Sequence, residues 1–180
     1  HVSEFWMVEP EIAFADLSDD MDLAEDFVKQ ITKEVLEECP DEMTLFKKYV
    51  DKNLEKHLQT LDSKFHRCTY SDCIDLLKNS NKNFEFKPQW GKDLQTEHER
   101  FITDDHFNGP VFITDWPKEI KPFYMRLNDD EKTVSCMDLI MPRVGELIGG
   151  SAREERLDEL KMRLGNIEEA MNDYWWYLET

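Results

Sequence analysis

With 180 residues, 40% of them hydrophobic, the chain is long enough for one domain with a buried core and too short to expect two. Its 22 basic and 40 acidic residues leave a net charge of -18, which opposes a phosphate backbone and argues against tight nucleic-acid binding by this segment alone. No run approaches the roughly 18 apolar residues of a membrane span, and with a mean hydropathy of -0.67 a soluble, non-membrane protein is expected.

The chain opens at His1 without a basic leader or apolar signal segment, which reads as a cut end. Residues Val2 to Ala15 alternate with period 2, so a long strand is predicted. Its polar face carries His1, Ser3, Phe5, Met7, Glu9 and Glu11. The other carries Val2, Trp6, Val8 and Ile12 and is expected to pack on helices. Ser18 followed by acids is an N-cap signature for a helix from about Asp19 to Glu38, stopped before Pro40, and a second helical pattern fills most of Asp41 to Leu61. These two helices, over about 19–61, read as an insertion beside the sheet.

A short helix capped near Ser71 is predicted over Tyr70 to Leu77, and another over Gln95 to Phe107, with Phe84 to Lys87 extended between them. Val111 to Thr114, Phe123 to Leu127 and Val134 to Met141 are apolar runs separated by turn residues and read as successive antiparallel strands. Glu146 to Gly149 offers one more strand, followed by helical spacing over Arg153 to Leu164 and Ile167 to Tyr177. The expected class is α+β, an antiparallel sheet with helices gathered on one face. The cysteines, at 39, 68, 73 and 136, form no CxxC pair and the histidines are scattered, so a zinc site is not expected.

Four separated segments resemble the catalytic domain of class II aminoacyl-tRNA synthetases, in the form found in asparaginyl-tRNA synthetases. They are HVSEFWMVEPE at 1–11, GPVFITDWPKEIKPFYMR at 109–126, MDLIMPRVGELIGGS at 137–151 with REER at 153–156, and YWWYL at 174–178. The resemblance implies a ligase that joins asparagine to ATP and passes it to tRNA, with magnesium as cofactor, in a cytoplasmic homodimer. It also implies departures: motif 1, the start of motif 2, the Gly-rich part of motif 3 and the anticodon-binding domain are missing, and Ala152 stands where bacterial-type members usually carry Gln. The segment alone is therefore expected to be inactive. A synthetase-like asparagine synthetase and a non-catalytic binding module are the alternatives.

Such a reaction has no covalent enzyme nucleophile and depends on positioning and charge neutralisation. The resemblance places Phe5 under the adenine of ATP and His1 near its phosphates. Glu9 and Glu11 are costly acids on a covered sheet face unless a cationic or hydrogen-bonding group meets them. Arg153 can donate to the side-chain carbonyl of asparagine and Glu9 can accept from its NH2. Gly145, Gly149 and Gly150 leave room for a pocket floor beside them. If the last two strands form a hairpin turning about Pro142, Asp138 and Glu146 fall opposite each other, and a magnesium ion bound with ATP is the simplest compensation for their repulsion.

Overall fold

Four strands in the order β1-β2-β3-β4 form the sheet in a computed structural model that describes residues 3–165 and 167–179. The first helix, α1 (Leu17–Glu38), starts at Asp16 rather than at Ser18. Asp16 accepts from the backbone N–H of Ser18 and Asp19, and Asp19 accepts in return from the Asp16 N–H at 2.9 Å. That reciprocal cap satisfies donors that a helix start otherwise leaves unpaired. Pro40 begins α2 (Pro40–Tyr49) where the missing N–H costs nothing, and a break before α3 (Leu54–Gln59) splits the single helix expected there.

The strand β1 (His66–Thr69) was not legible in the sequence, and it runs parallel to β2 (Val111–Pro117). Between them lie α4 (Tyr70–Asn79), capped by Thr69 rather than Ser71, and α5 (Thr96–Arg100), which continues as a π-helix over Phe101–His106. The β3 (Thr133–Met141) and β4 (Gly145–Ser151) strands add antiparallel, and α6 (Leu157–Leu164) and α7 (Ile167–Glu179) follow. The fold is α+β with a mixed sheet, and helices cover both faces rather than one. Met21 and Ala24 of α1 pack with Leu61 and Phe65 on Phe112, Met137 and Leu139. Tyr70, Cys73, Ile74 and Leu77 of α4 pack with Ile102 on Val111, Ile113, Cys136 and Ile140. Alternation along β2 and β3 sorts these residues into the two layers.

Two predicted strands are absent. Residues 5–12 have no regular secondary structure and pair with no strand among the described residues, and Trp6 is 97% exposed instead of packed on helices. Alternation specifies two faces, yet without a partner to bond its backbone an extended run is not a strand. His1 and Val2 lie outside the described residues. Phe123 to Leu127 makes only isolated bridges, Met125 to Arg153 and Leu127 to Val134. Its backbone bonds are divided between backbone and side chains: Arg126 donates to the Ala152 carbonyl and accepts from Ser135, while Leu127 donates its N–H to Glu154 and Met125 gives its carbonyl to Arg163.

Glu154 is 4% exposed and accepts from Leu127 N–H at 2.8 Å and from the Arg156 guanidinium at 2.8 Å, so these bonds hold its carboxyl at about 2 against the cost of burial. A folded-state value below the unfolded one, about 4.3, means stability that is complete above the unfolded value and lost as pH falls toward 2. The Glu154→Gln variant is therefore expected to unfold at lower denaturant than wild type at pH 7, with the gap between the two midpoints closing as pH is lowered from 5 to 3.

Candidate active site

Two β-bulges decide which side chains meet. At Asp115, with φ 56°, the register between β2 and β3 slips between Thr114 and Trp116. The slip turns Trp116 onto the face of Val111 and Ile113, where simple alternation would have turned it away. In β4 the extra residue is Leu147: Leu139 pairs with Ile148, while Ile140 pairs with Glu146. Asp138 pairs with Gly149, so Asp138 and Glu146 are not directly opposite as expected. The bulge nevertheless returns Glu146 to the face that Asp138 and Ile140 share. Gly149 leaves the space between them open: a Cβ there would lie 3.2 Å from a Glu146 oxygen and 3.6 Å from an Asp138 oxygen.

Asp138 is 6% exposed, and Lys121 donates to both its oxygens at 2.7 and 3.0 Å while lying 4.3 Å from the Trp116 ring. Burial raises the Asp138 carboxyl above its ordinary value in spite of that cation. Burial and the charge of Asp138 do the same to Glu146. Glu99, on α5, is raised by burial and then by Glu146 and Asp138. Lys121 pairs with Asp138 and also pulls the Glu146 carboxyl down, while Glu99 is shifted only by burial and the other two acids, so three neighbouring carboxyls have one lysine among them and room for a further positive charge. Among the described residues no three His, Cys, Asp or Glu side chains converge as a metal-binding group. Magnesium commonly takes only one or two protein carboxylates, with water and phosphate oxygens completing its shell, so Asp138 and Glu146 fit it.

Beyond the end of β4, Arg153 grips Glu11 with a two-pronged contact, Nε to Oε1 and Nη2 to Oε2, both 2.9 Å. Its guanidinium lies 5.0 Å from the Tyr124 ring and its Nη1 donates to Ser151 Oγ at 3.3 Å. The hydrogen bond from Arg153 holds the Glu11 carboxyl below its usual range. Asp20 joins them from the first turn of α1, its carboxyl raised by burial while Arg153 pulls it down. Gly150 makes that approach possible, since a Cβ on it would collide with the Asp20 carboxylate and come within 2.8 Å of Met137 Cε.

Of the residues singled out from sequence, Glu11, Arg153 and Gly150 come together, as do Asp138, Glu146 and Gly149. Glu9 is exposed and it is Glu11, two residues on, that meets Arg153. Phe5 is 63% exposed, with no ring contact among the described residues. Sequence reasoning missed Lys121, Tyr124, Asp20 and Glu99. The signal for Lys121 was available in principle: an acid inside an apolar strand needs a countercharge, and Lys121 follows β2 closely. Ala152 takes part through its backbone, donating to Ser135 and accepting from Arg126.

Residues 1–180 match the family described as tRNA synthetases class II (D, K and N). The chain is 54% identical over 180 residues to an asparagine–tRNA ligase of Clostridium beijerinckii and 56% identical to one of Oleidesulfovibrio alaskensis, covering 99% of this chain and 39% of each relative. It therefore spans about two-fifths of their length. Among solved structures, asparaginyl-tRNA synthetase from Pyrococcus horikoshii complexed with asparaginyl-adenylate superposes with a TM-score of 0.77 at 33% identity, over 93% of this chain and 37% of that one.

The crowding at Gly150 yields a direct check. Gly150→Ala should destabilise the fold by about 1–3 kcal/mol, the usual range for overpacking. Adding Asp20→Ala should recover part of that loss, because the carboxylate is the nearer obstacle and the Met137 methyl can move. Equal denaturation midpoints for the single and double variants would show that Asp20 does not press on Gly150.

Proposed function

The chain belongs to the class II tRNA synthetases (D, K and N), and from that premise we propose that it forms the amino-acid-activating part of an asparagine–tRNA ligase. In that reaction the asparagine carboxylate attacks the α-phosphorus of ATP and pyrophosphate leaves. The asparaginyl group then passes to a ribose hydroxyl of tRNA as AMP departs. No side chain becomes covalently attached, so the chain's residues bind, orient and neutralise.

The observation that carries the asparagine reading is the Arg153–Glu11 pair. An asparagine side chain presents one acceptor, its carbonyl oxygen, and one donor group, its NH2; an aspartate side chain presents two acceptors. Arg153 supplies the donor and Glu11 the acceptor, in place of Glu9. A carboxylate in that position repels aspartate. Side-chain exposures of 49% and 67% mean that the pair is solvated, so opening it to admit a ligand costs only about 0–1 kcal/mol. The Tyr124 ring limits how far the guanidinium can swing. Gly149 and Gly150 keep the floor of the pocket free of side chains.

For ATP, the exposed ring of Phe5 is free to stack on adenine, and the role of His1 rests on the family alone. Asp138 and Glu146 would hold magnesium, which when bound supplies positive charge to the phosphates. Lys121 keeps Asp138 compensated when no other cation is present. Transfer to tRNA, homodimer formation and a cytoplasmic location belong to the same proposal and are supported by the family likeness rather than by these residues. No described helix is long and apolar enough to cross a membrane.

Asparagine-dependent exchange of pyrophosphate into ATP by the full-length protein tests the proposal. Exchange with asparagine is expected, and exchange supported only by aspartate would refute it. Arg153→Ala should lower kcat/KM for asparagine by about 2–5 kcal/mol, the loss expected when one partner of a charged hydrogen-bonded pair is removed, with little change in the KM for ATP. Asp138→Asn should raise the magnesium concentration for half-maximal exchange by roughly 10–100-fold. An unaltered magnesium dependence would remove Asp138 from the site.

A further inference from the structure

The segment between β2 and β3 delivers two of the side chains described above, Lys121 to Asp138 and Tyr124 to Arg153. Backbone bonds fix its two ends, Lys118 N–H to the Lys132 carbonyl at 3.0 Å, Arg126 N–H to that of Ala152 at 2.9 Å and Glu154 N–H to that of Tyr124 at 2.8 Å. Between them, after the short 3-10 turn Lys118–Ile120, no described strand pairs with residues 119–123. What gathers that middle stretch is the guanidinium of Arg163, from the last turn of α6. Arg163 donates to the carbonyls of Met125, of Pro122 at 2.9 Å, and of Lys118 and Lys121 at 3.4 Å.

This is an unusual use of an arginine. Its five donors ordinarily favour carboxylates and phosphates, whose negative charge repays the loss of water. Here they converge on neutral carbonyls of one loop, and burial lowers the guanidinium's proton affinity. Four carbonyls aimed at one planar cation fix the loop's backbone at points on both sides of Lys121 and immediately beside Tyr124. An apolar side chain could fill the space but has no N–H with which to hold those carbonyls together.

We infer that Arg163 is a positioning residue for the activation site, setting the loop so that Lys121 meets Asp138 and Tyr124 meets Arg153. The inference rests on the proposed ligase reading for its kinetic consequences, but not for its structural one. Through Lys121 it acts on the phosphate and cation side of the site, and through Tyr124 on the asparagine side. A defect at Arg163 therefore appears in both.

The test uses the full-length protein with Arg163→Met, Arg163→Lys and, as a comparator, Leu160→Ala. Leu160 is a buried residue of the same helix that donates nothing to the loop. Arg163→Met should raise the KM for asparagine and the half-saturating magnesium concentration together, each by about tenfold or more, with kcat changed far less. Arg163→Lys, whose ammonium can still donate to up to three carbonyls, should recover part of both. Leu160→Ala should lower the melting temperature while leaving both constants near wild type. Amide hydrogen exchange over 118–126 should quicken in Arg163→Met and stay near wild type in Leu160→Ala, and this readout holds whatever reaction the enzyme catalyses. Unchanged exchange over 118–126 in Arg163→Met overturns the inference, as does an equal shift of both constants in Leu160→Ala. Wild-type protein without asparagine-dependent pyrophosphate exchange would instead overturn the ligase reading, leaving the hydrogen-exchange comparison to decide the role of Arg163.

Discussion

A carboxylate in the middle of a sheet has to be compensated, and in this chain Asp138 sets the terms for what surrounds it. Leaving one member of a buried ion pair alone costs about 3–5 kcal/mol, a large share of the 5–15 kcal/mol by which a domain is stable. Lys121 meets that demand at 2.7 Å. For Lys121 to be there, the segment after β2 must turn back over the sheet, and its carbonyls are gathered by Arg163 for that turn. The bulge at Leu147 and the missing side chain at Gly149 add Glu146 to the same space, where Lys121, paired with Asp138, is the cation that also acts on Glu146. The cost of that arrangement is what the proposed binding of a cation with phosphate would offset.

The amino-acid side of the site has the opposite character. Arg153 and Glu11 are exposed and contribute little to stability, whereas Asp138 is enclosed. This division suits the proposed ligase, in which the groups that would handle charge are preset and the solvated pair that would select the side chain is inexpensive to open. The segment before α5 is fixed, as Asp138 is. Tyr70 accepts the N–H of Lys92 and donates to its carbonyl, and Glu97 accepts from the N–H of Glu85 and Phe86. Those contacts keep Asp93 close enough to add its charge to the environment of Asp138.

How much of this was legible in the sequence follows from what each signal encodes. Helical spacing and the apolar runs of β2 and β3 specify local structure, and α1, α4, β2 and β3 appear close to where expected, although Asp16 and Thr69 cap the helices in place of Ser18 and Ser71 and the helix expected over 41–61 is split in two. Alternation at residues 2–15 encodes two faces but no partner, so it was read as a strand that the chain does not form. The four residues of β1 are too few to show a period, and their parallel pairing depends on β2 some 40 residues later. Asp138, Glu146 and Glu11 were identifiable because ionised side chains on a covered sheet face are costly, whereas Asp20 and Glu99 lie on helices among other acids and gave no such signal. The pairing around Asp138 and Glu146 was not identifiable, since one extra residue at Leu147 changes the register and no sequence rule placed the bulge there. Glu11 was assigned beside Glu9 by the assumed strand; once the strand is absent, the guanidinium of Arg153 chooses between them by reach.

In the proposed function a donor at Arg153 and an acceptor at Glu11 select asparagine for activation. Calorimetry on the full-length protein with non-hydrolysable mimics of asparaginyl-adenylate and aspartyl-adenylate tests it most directly, because it compares the two side chains without depending on turnover. The account predicts that the asparaginyl mimic binds tighter by at least about 2 kcal/mol, the lower end for a charged pair left unmatched, and that the difference shrinks in Glu11→Gln. Equal binding of the two mimics, or a preference for the aspartyl one, would contradict it.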